Sequence, residues 1–194
     1  MESKEAAAAW SGFREELHGD PLLNIRRGDI LRARKLAAGQ GRPRIPSTGR
    51  GPSKAERWEY RKVLKRGLAT IASLPGTTVG TARSGTANVP ATAEAVLGRL
   101  AARHTAHGTA ALAVIRTNTA APSWYDLTPV PAAAAPPRPA QAPSHVQAGV
   151  EELLEAAEFV AYCAYQHLAH RPNRRFLWEW YPELLPEAEG PLVL

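Results

Sequence analysis

Large apolar residues recur along this chain at helical spacing more often than at strand spacing. In ESKEAAAAWSGFREELHG they are Trp10, Phe13 and Leu17, three and four apart, which lines one face of an α-helix. Alanine favours that helix, Ser3 is placed to cap it, and Gly19 to end it. Asp20-Pro21 then supplies an N-cap and a first-turn proline for PLLNIRRGDILRARKLAAG, which Gly39 closes. Gly28-Asp29 breaks this stretch, and Asp29 is placed to cap a shorter helix with Ile30, Ala33, Leu36 and Ala37 on one face.

The strongest local signal is Ser53-Lys54-Ala55-Glu56, a capping box at the head of KAERWEYRKVLKRGLATIASL. Tyr60, Leu64, Leu68, Ile71 and Leu74 follow at spacings of 4, 4, 3 and 3, and Pro75-Gly76 stops the helix. Residues 76 to 90 are small and polar and read as a loop. Helical spacing resumes with Val96, Leu97 and Leu100, whereas the short apolar run in TAALAVIRT fits helix or buried strand, its alanine content favouring helix. From Pro122 prolines accumulate, and PVPAAAAPPRPAQAP at 129 to 143 reads as a linker of polyproline II character. Ser144 is placed to cap a last long helix, with Val146, Val150, Leu153, Ala157, Val160 and Ala164 on one face and Glu151, Glu152, Glu155 and Glu158 on others.

The pattern therefore predicts a mainly α-helical fold, a small bundle with a basic helix-loop-helix region. Its expected parts are a basic helical module over 1–120, a Pro/Ala-rich linker over 121–143, and an acidic helix with an aromatic tail over 144–194. Composition tempers the size of the core. Hydrophobic residues are 44% of the 194, but much of that is alanine, with three Phe and one Met. The single Cys163 has no partner for an intramolecular disulfide, the N-terminus lacks the apolar run of a secretory signal, and no window reaches the roughly 18 apolar residues of a membrane span. Those features predict an intracellular protein, cytoplasmic or, in a eukaryotic or viral setting, nuclear.

Charge changes the picture more than composition does. The net value is +6, yet Pro21 to Arg66 holds fourteen Lys/Arg against three acids, while Pro139 to Leu194 holds three Arg against eight Glu. One half faces polyanions and the other does something else. On the helix from Ser53, residues Lys54, Arg57, Arg61 and Lys65 form one line, widened by Lys62 and Arg66, opposite the apolar stripe and with Trp58 at its margin. The loop before it adds Arg42, Arg44 and Arg50 among Gly, Pro, Ser and Thr, a composition that lets a backbone wrap a phosphate chain. This set, with Trp58 free to stack on a base, predicts non-catalytic binding of RNA or DNA, with RNA or single strands favoured. The bland alternative is a solvated helix face.

Other constellations carry less. Cys163, His167 and His170 share a helix side but supply three ligands, one short of a closed zinc site, so neither metal nor cofactor is expected. Gly80 to Thr86 has the glycine spacing of a phosphate loop without its Lys. Glu151, Glu155 and Glu158 share a face that reads as solvated, and no nucleophile and base sit in a recognisable frame, which argues against an enzyme. Within FLWEWY, Trp178, Trp180 and Tyr181 have two possible destinies: closing a thin core, or anchoring a protein partner as an adaptor would.

Overall fold

The computed structural model of the chain describes residues 2–23, 25–40, 53–83, 89–108, 112–115, 123–127, 138–140 and 150–193. In chain order the elements are α1 (Glu2–Gly19), α2 (Ala33–Ala37), α3 (Lys54–Ala72), β1 (Gly80–Arg83), α4 (Val89–Ala106), β2 (Leu112–Ile115), β3 (Ser123–Asp126), β4 (Arg138–Ala140), α5 (Val150–Ala169), a 3-10 helix (Pro172–Leu177), α6 (Trp180–Leu184) and β5 (Glu189–Val193). The fold is mainly helical, with basic and acidic helices and a C-terminal aromatic cluster. The chain divides into two compact units, Met1–Thr81 with Ala148–Glu189, and Ala82–Gln147 with Gly190–Leu194.

In the first unit α1, α3 and α5 pack on one another and share one core, which α2 and α6 complete. α1 and α3 contribute the faces their periodicity predicts, with Trp10, Phe13, Leu17, Tyr60, Leu64, Leu68 and Ile71 buried. α5 is rotated from its predicted face: Val160 and Ala164 are buried but Ala157 is exposed, and Ala156, Phe159 and Cys163 fill the core instead. Ahead of α3 the capping box forms in full, Ser53 Oγ accepting from Glu56 N at 3.1 Å and Glu56 Oε2 accepting from Ser53 N. Hydrogen bonding from Ser53 to the carboxylate, by its backbone N–H first and its hydroxyl second, holds the Glu56 carboxyl below its ordinary pKa.

At Gly67 the Phe159 ring of α5 packs directly against α3. A Cβ at this position would lie 2.7 Å from Phe159 Cε2 and 3.4 Å from Phe13 Cε1. Phe159 is fully buried, edge-on to Trp10 at 5.4 Å, so it has nowhere to retreat. Gly67→Val is therefore expected to lower stability by about 3 kcal/mol, despite valine's better helix propensity, as read from a urea midpoint.

One buried polar group ties the unit together. Glu155 on α5 is 5% exposed. Its Oε1 accepts from the Trp10 indole N–H at 3.3 Å, its Oε2 accepts from Leu31 N at 2.8 Å, and Arg14 Nε lies 3.7 Å away. The expectation that Glu155 belongs to a solvated acidic face is thus wrong for this residue, because α1 and the segment before α2 cover that side of α5. Glu158, one turn on, pairs with Arg32 at 3.0 Å.

Several segments depart from the pattern. Ser3 lies inside α1, which begins at Glu2. Between Asp20 and Arg32 the chain turns instead of continuing a helix. Asp20 Oδ1 accepts from Leu22 N at 2.9 Å and Asp29 Oδ2 from Arg26 N at 3.0 Å, so both aspartates close turns, and Ile30 is 54% exposed. Helix is confined to Ala33–Ala37, which Gly39 closes at φ +69, with Gly39 N donating to Leu36 O and Gln40 N to Lys35 O.

In the second unit the run at 112–115 is a strand. β2, β3 and β4 form an antiparallel sheet in that order, in a register that sets Ala113 opposite Tyr125 and Tyr125 opposite Pro139. Part of the proline-rich stretch is therefore strand, at the sheet edge, where a residue without an N–H is tolerated. β1 and β5 pair as a two-stranded sheet, so part of the small-residue stretch at 76–90 is also strand. The capping role of Ser144 falls outside the described residues. No helix among the described residues is long and apolar enough to cross a membrane.

Candidate functional site

The cationic line on α3 is intact as a helix face but not uniform in its partners. Toward the C-terminal end the charges are matched: Lys62 pairs with Glu59 at 2.8 Å, Lys65 with Glu183 at 3.2 Å and Arg66 with Glu16 at 3.0 Å. The last two also lie against rings, Lys65 Nζ 5.7 Å from the centre of Trp180 and the Arg66 guanidinium 5.9 Å from that of Phe13. Each of these three cations therefore has a carboxylate partner within the chain, and periodicity along α3 can show only the first of them, Glu59.

Toward the N-terminal end the charges have no such match. Lys54 and Arg57 are exposed, and neither forms an ion pair among the described residues. Arg61 donates from Nε to Ala37 O at 3.2 Å and lays its guanidinium 4.5 Å from the centre of the Phe176 ring. Arg174, from the 3-10 helix, donates to Tyr162 OH at 3.3 Å and to Asn173 O at 3.1 Å, neutral acceptors both. Burial, then the proximity of Arg174 and Arg57, pulls the pKa of Arg61 below its ordinary value. Arg57 and Arg174 thus both act against the charge of Arg61, and no carboxylate among the described residues pairs with any of the three.

Trp58 stands in this patch. It is 44% exposed and meets Phe176 edge to face at 6.2 Å. Phe176 meets the buried Trp180 at 5.4 Å, so an aromatic row runs from the surface into the core. Of the residues the sequence singles out, Arg57, Trp58 and Arg61 come together, Lys62, Lys65 and Arg66 are ion-paired along the same helix, and Arg42, Arg44 and Arg50 lie outside the described residues. Arg174 and Phe176 were missed. RPNRRF does hold a basic and aromatic cluster, but more than a hundred positions separate it from Arg61.

The three proposed partner anchors fare differently. Trp180 and Tyr181 are buried in the core of the first unit, Tyr181 OH lying 2.7 Å from Thr81 Oγ1, and only Trp178 is partly exposed. As exposed anchors the first two are corrected: the area they bury completes a core built mostly of leucine and aromatic side chains. Cys163 is also core, its thiol pushed up to about 12 by burial. His167 Nδ1 is 2.7 Å from Trp178 O, and His170 is exposed with its ring 4.6 Å from that of Trp178. The spacing that aligns these three residues on paper therefore sends the thiol to the core while each histidine engages Trp178.

A shallow cavity of about 110 Å³ opens beside α1, lined by Ser11, Arg14, Arg26 and Arg27 among others. Two of its arginines are already engaged, Arg14 donating to Arg27 O and Asp29 O, and Arg27 pairing with Glu15, which with Glu152 also lines the cavity. The unmatched charge of α3 is the distinctive feature. No family model, curated protein or solved structure matches the chain.

Proposed function

We propose that this chain is a non-catalytic nucleic-acid-binding protein of the cell interior, which contacts phosphates through the N-terminal half of α3. The observation that supports this most is the grouping of Lys54, Arg57, Arg61 and Arg174 around a half-exposed Trp58, with no carboxylate ion-paired to any of them among the described residues. A phosphate chain relieves that repulsion and releases its own counterions in doing so. Arg42, Arg44 and Arg50 lie three to eleven positions before Ser53 in sequence and add positive charge to the segment that leads into α3. Lys62, Lys65 and Arg66 have a lesser role, because their charge is matched at home. The adaptor reading is weaker with Trp180 and Tyr181 in the core.

The direct test is the ultraviolet absorbance of freshly purified protein at the nucleic-acid and protein bands. A raised ratio that high-salt washing returns to the protein value is expected. A protein-like ratio from the outset, with no retardation of RNA or DNA on a gel, counts against the proposal.

A further inference from the structure

Resting on that reading of α3 and narrowing it, we infer that the patch selects an unpaired strand, one base stacking on Trp58 while Lys54, Arg57, Arg61 and Arg174 hold the flanking phosphates. Trp10 and Trp180 are buried, whereas Trp58 is left 44% exposed. It is also held in place. Phe176 supports the ring from one side at 6.2 Å, and Phe176 is itself fixed between the Arg61 guanidinium at 4.5 Å and the Trp180 ring at 5.4 Å. A ring ordered in advance loses little conformational freedom when a base stacks on it.

The helix places the charges at suitable intervals. Relative to Trp58, the same-face neighbours one turn away are Lys54 and Ala55 on one side and Arg61 and Lys62 on the other. Ala55 keeps one approach to the ring low. Lys54 and Arg61 are separated by about 10 Å of helix rise, so cations stand on both sides of the ring. Arg174 and Arg57 add charge next to Arg61. This alternation of ring and cation is what single-strand binding uses: a groove of positive charge for the backbone and an aromatic platform for a base.

A duplex gains only half of this. Its bases are already stacked and paired, and exposing a base face costs a few kcal/mol of unstacking. The charges serve both forms of nucleic acid, but the ring serves only the unpaired one. Trp58 should therefore determine the ratio of single-strand to duplex affinity without determining whether nucleic acid binds at all.

The experiment is fluorescence anisotropy on the full chain with labelled RNA and DNA single strands of one mixed sequence and with the matching duplex. Trp58→Ala is expected to weaken both single strands by about tenfold and the duplex by less than about twofold. Trp58→Leu keeps an apolar cover over Phe176 but offers no π face, and must reproduce that loss. Trp58→Phe retains most of the affinity. Circular dichroism melts establish that each variant is folded. If Trp58→Leu weakens duplex and single strands alike, or neither, while Arg57→Glu with Arg174→Glu abolishes all binding, single-strand selection is overturned and the underlying reading stands. If the double charge reversal also leaves every affinity unchanged, that reading fails as well.

Discussion

Replacing Glu155 with alanine is expected to remove about 3 kcal/mol of stability, the largest loss from any single polar side chain in the first unit. The carboxylate accepts from the Trp10 indole N–H and from Leu31 N, joining α5 to α1 and to the segment that leads into α2. Without it both donors are left buried and unpaired, at about 1–3 kcal/mol each, and Arg14 loses its nearby anion. Glutamine should recover much of the loss, since its side-chain oxygen can still accept one of the two bonds. The two variants also separate hydrogen bonding from charge. Burial, outweighing Arg14 and the two donated bonds, raises the Glu155 carboxyl above its ordinary pKa. The folded chain therefore holds that proton to higher pH than the unfolded chain does. Glu155's titration contributes stability that is fully present below the unfolded pKa and is lost as pH rises through the raised folded value. The stability of wild type relative to Glu155→Gln should accordingly fall across that window and level off above it. A difference that grows as pH rises there would show the carboxyl to be depressed instead.

The second large effect concerns binding. Arg57→Glu combined with Arg174→Glu is expected to reduce affinity for RNA or DNA by about a hundredfold or more at roughly 0.1 M salt, since each change deletes one phosphate contact and adds a repelling charge. The fold should tolerate both, Arg174→Glu giving up hydrogen bonds to Tyr162 OH and Asn173 O, on residues that are only partly buried or exposed. Arg57 packs its Cβ and Cγ over Gly39, and glutamate keeps those atoms. Removing Arg57 and Arg174 also relieves the like-charge crowding that lowers the pKa of Arg61. The melting temperature should therefore stay close to that of wild type. Reversing Lys65 and Arg66 is less informative, because it also breaks the ion pairs with Glu183 and Glu16.

Local chemistry made α1 and α3 legible in the sequence. The Ser53–Glu56 box and the Tyr60 to Leu74 stripe depend on residues within a few positions of one another, and they recur in the structure as written. What depends on distant partners was not legible. Glu155 looks solvated on its own helix until Trp10, 145 positions away, covers it. The strand at 112–115 takes its identity from pairing with β3, not from its alanine-rich composition, and the turns at 20–32 are set by aspartate side chains that read equally well as helix caps. The same limit applied to the candidate site. Periodicity drew one cationic line along α3, but it could not assign Glu183 and Glu16 to one end, nor Arg174 and Phe176 to the other.

The measurement that tests the central claim most directly is the salt dependence of nucleic-acid affinity for wild type and the Arg57→Glu, Arg174→Glu variant, by anisotropy on a single-stranded oligonucleotide. Wild-type affinity is expected to fall linearly with salt on logarithmic axes, each phosphate contact contributing a slope of about −0.7. The double variant, wherever its residual binding is measurable at low salt, should show a slope shallower by about 1.4, the share of two lost contacts. A wild-type affinity that is weak at low salt, insensitive to salt, or unchanged in the variant would contradict a phosphate-binding role for this face of α3.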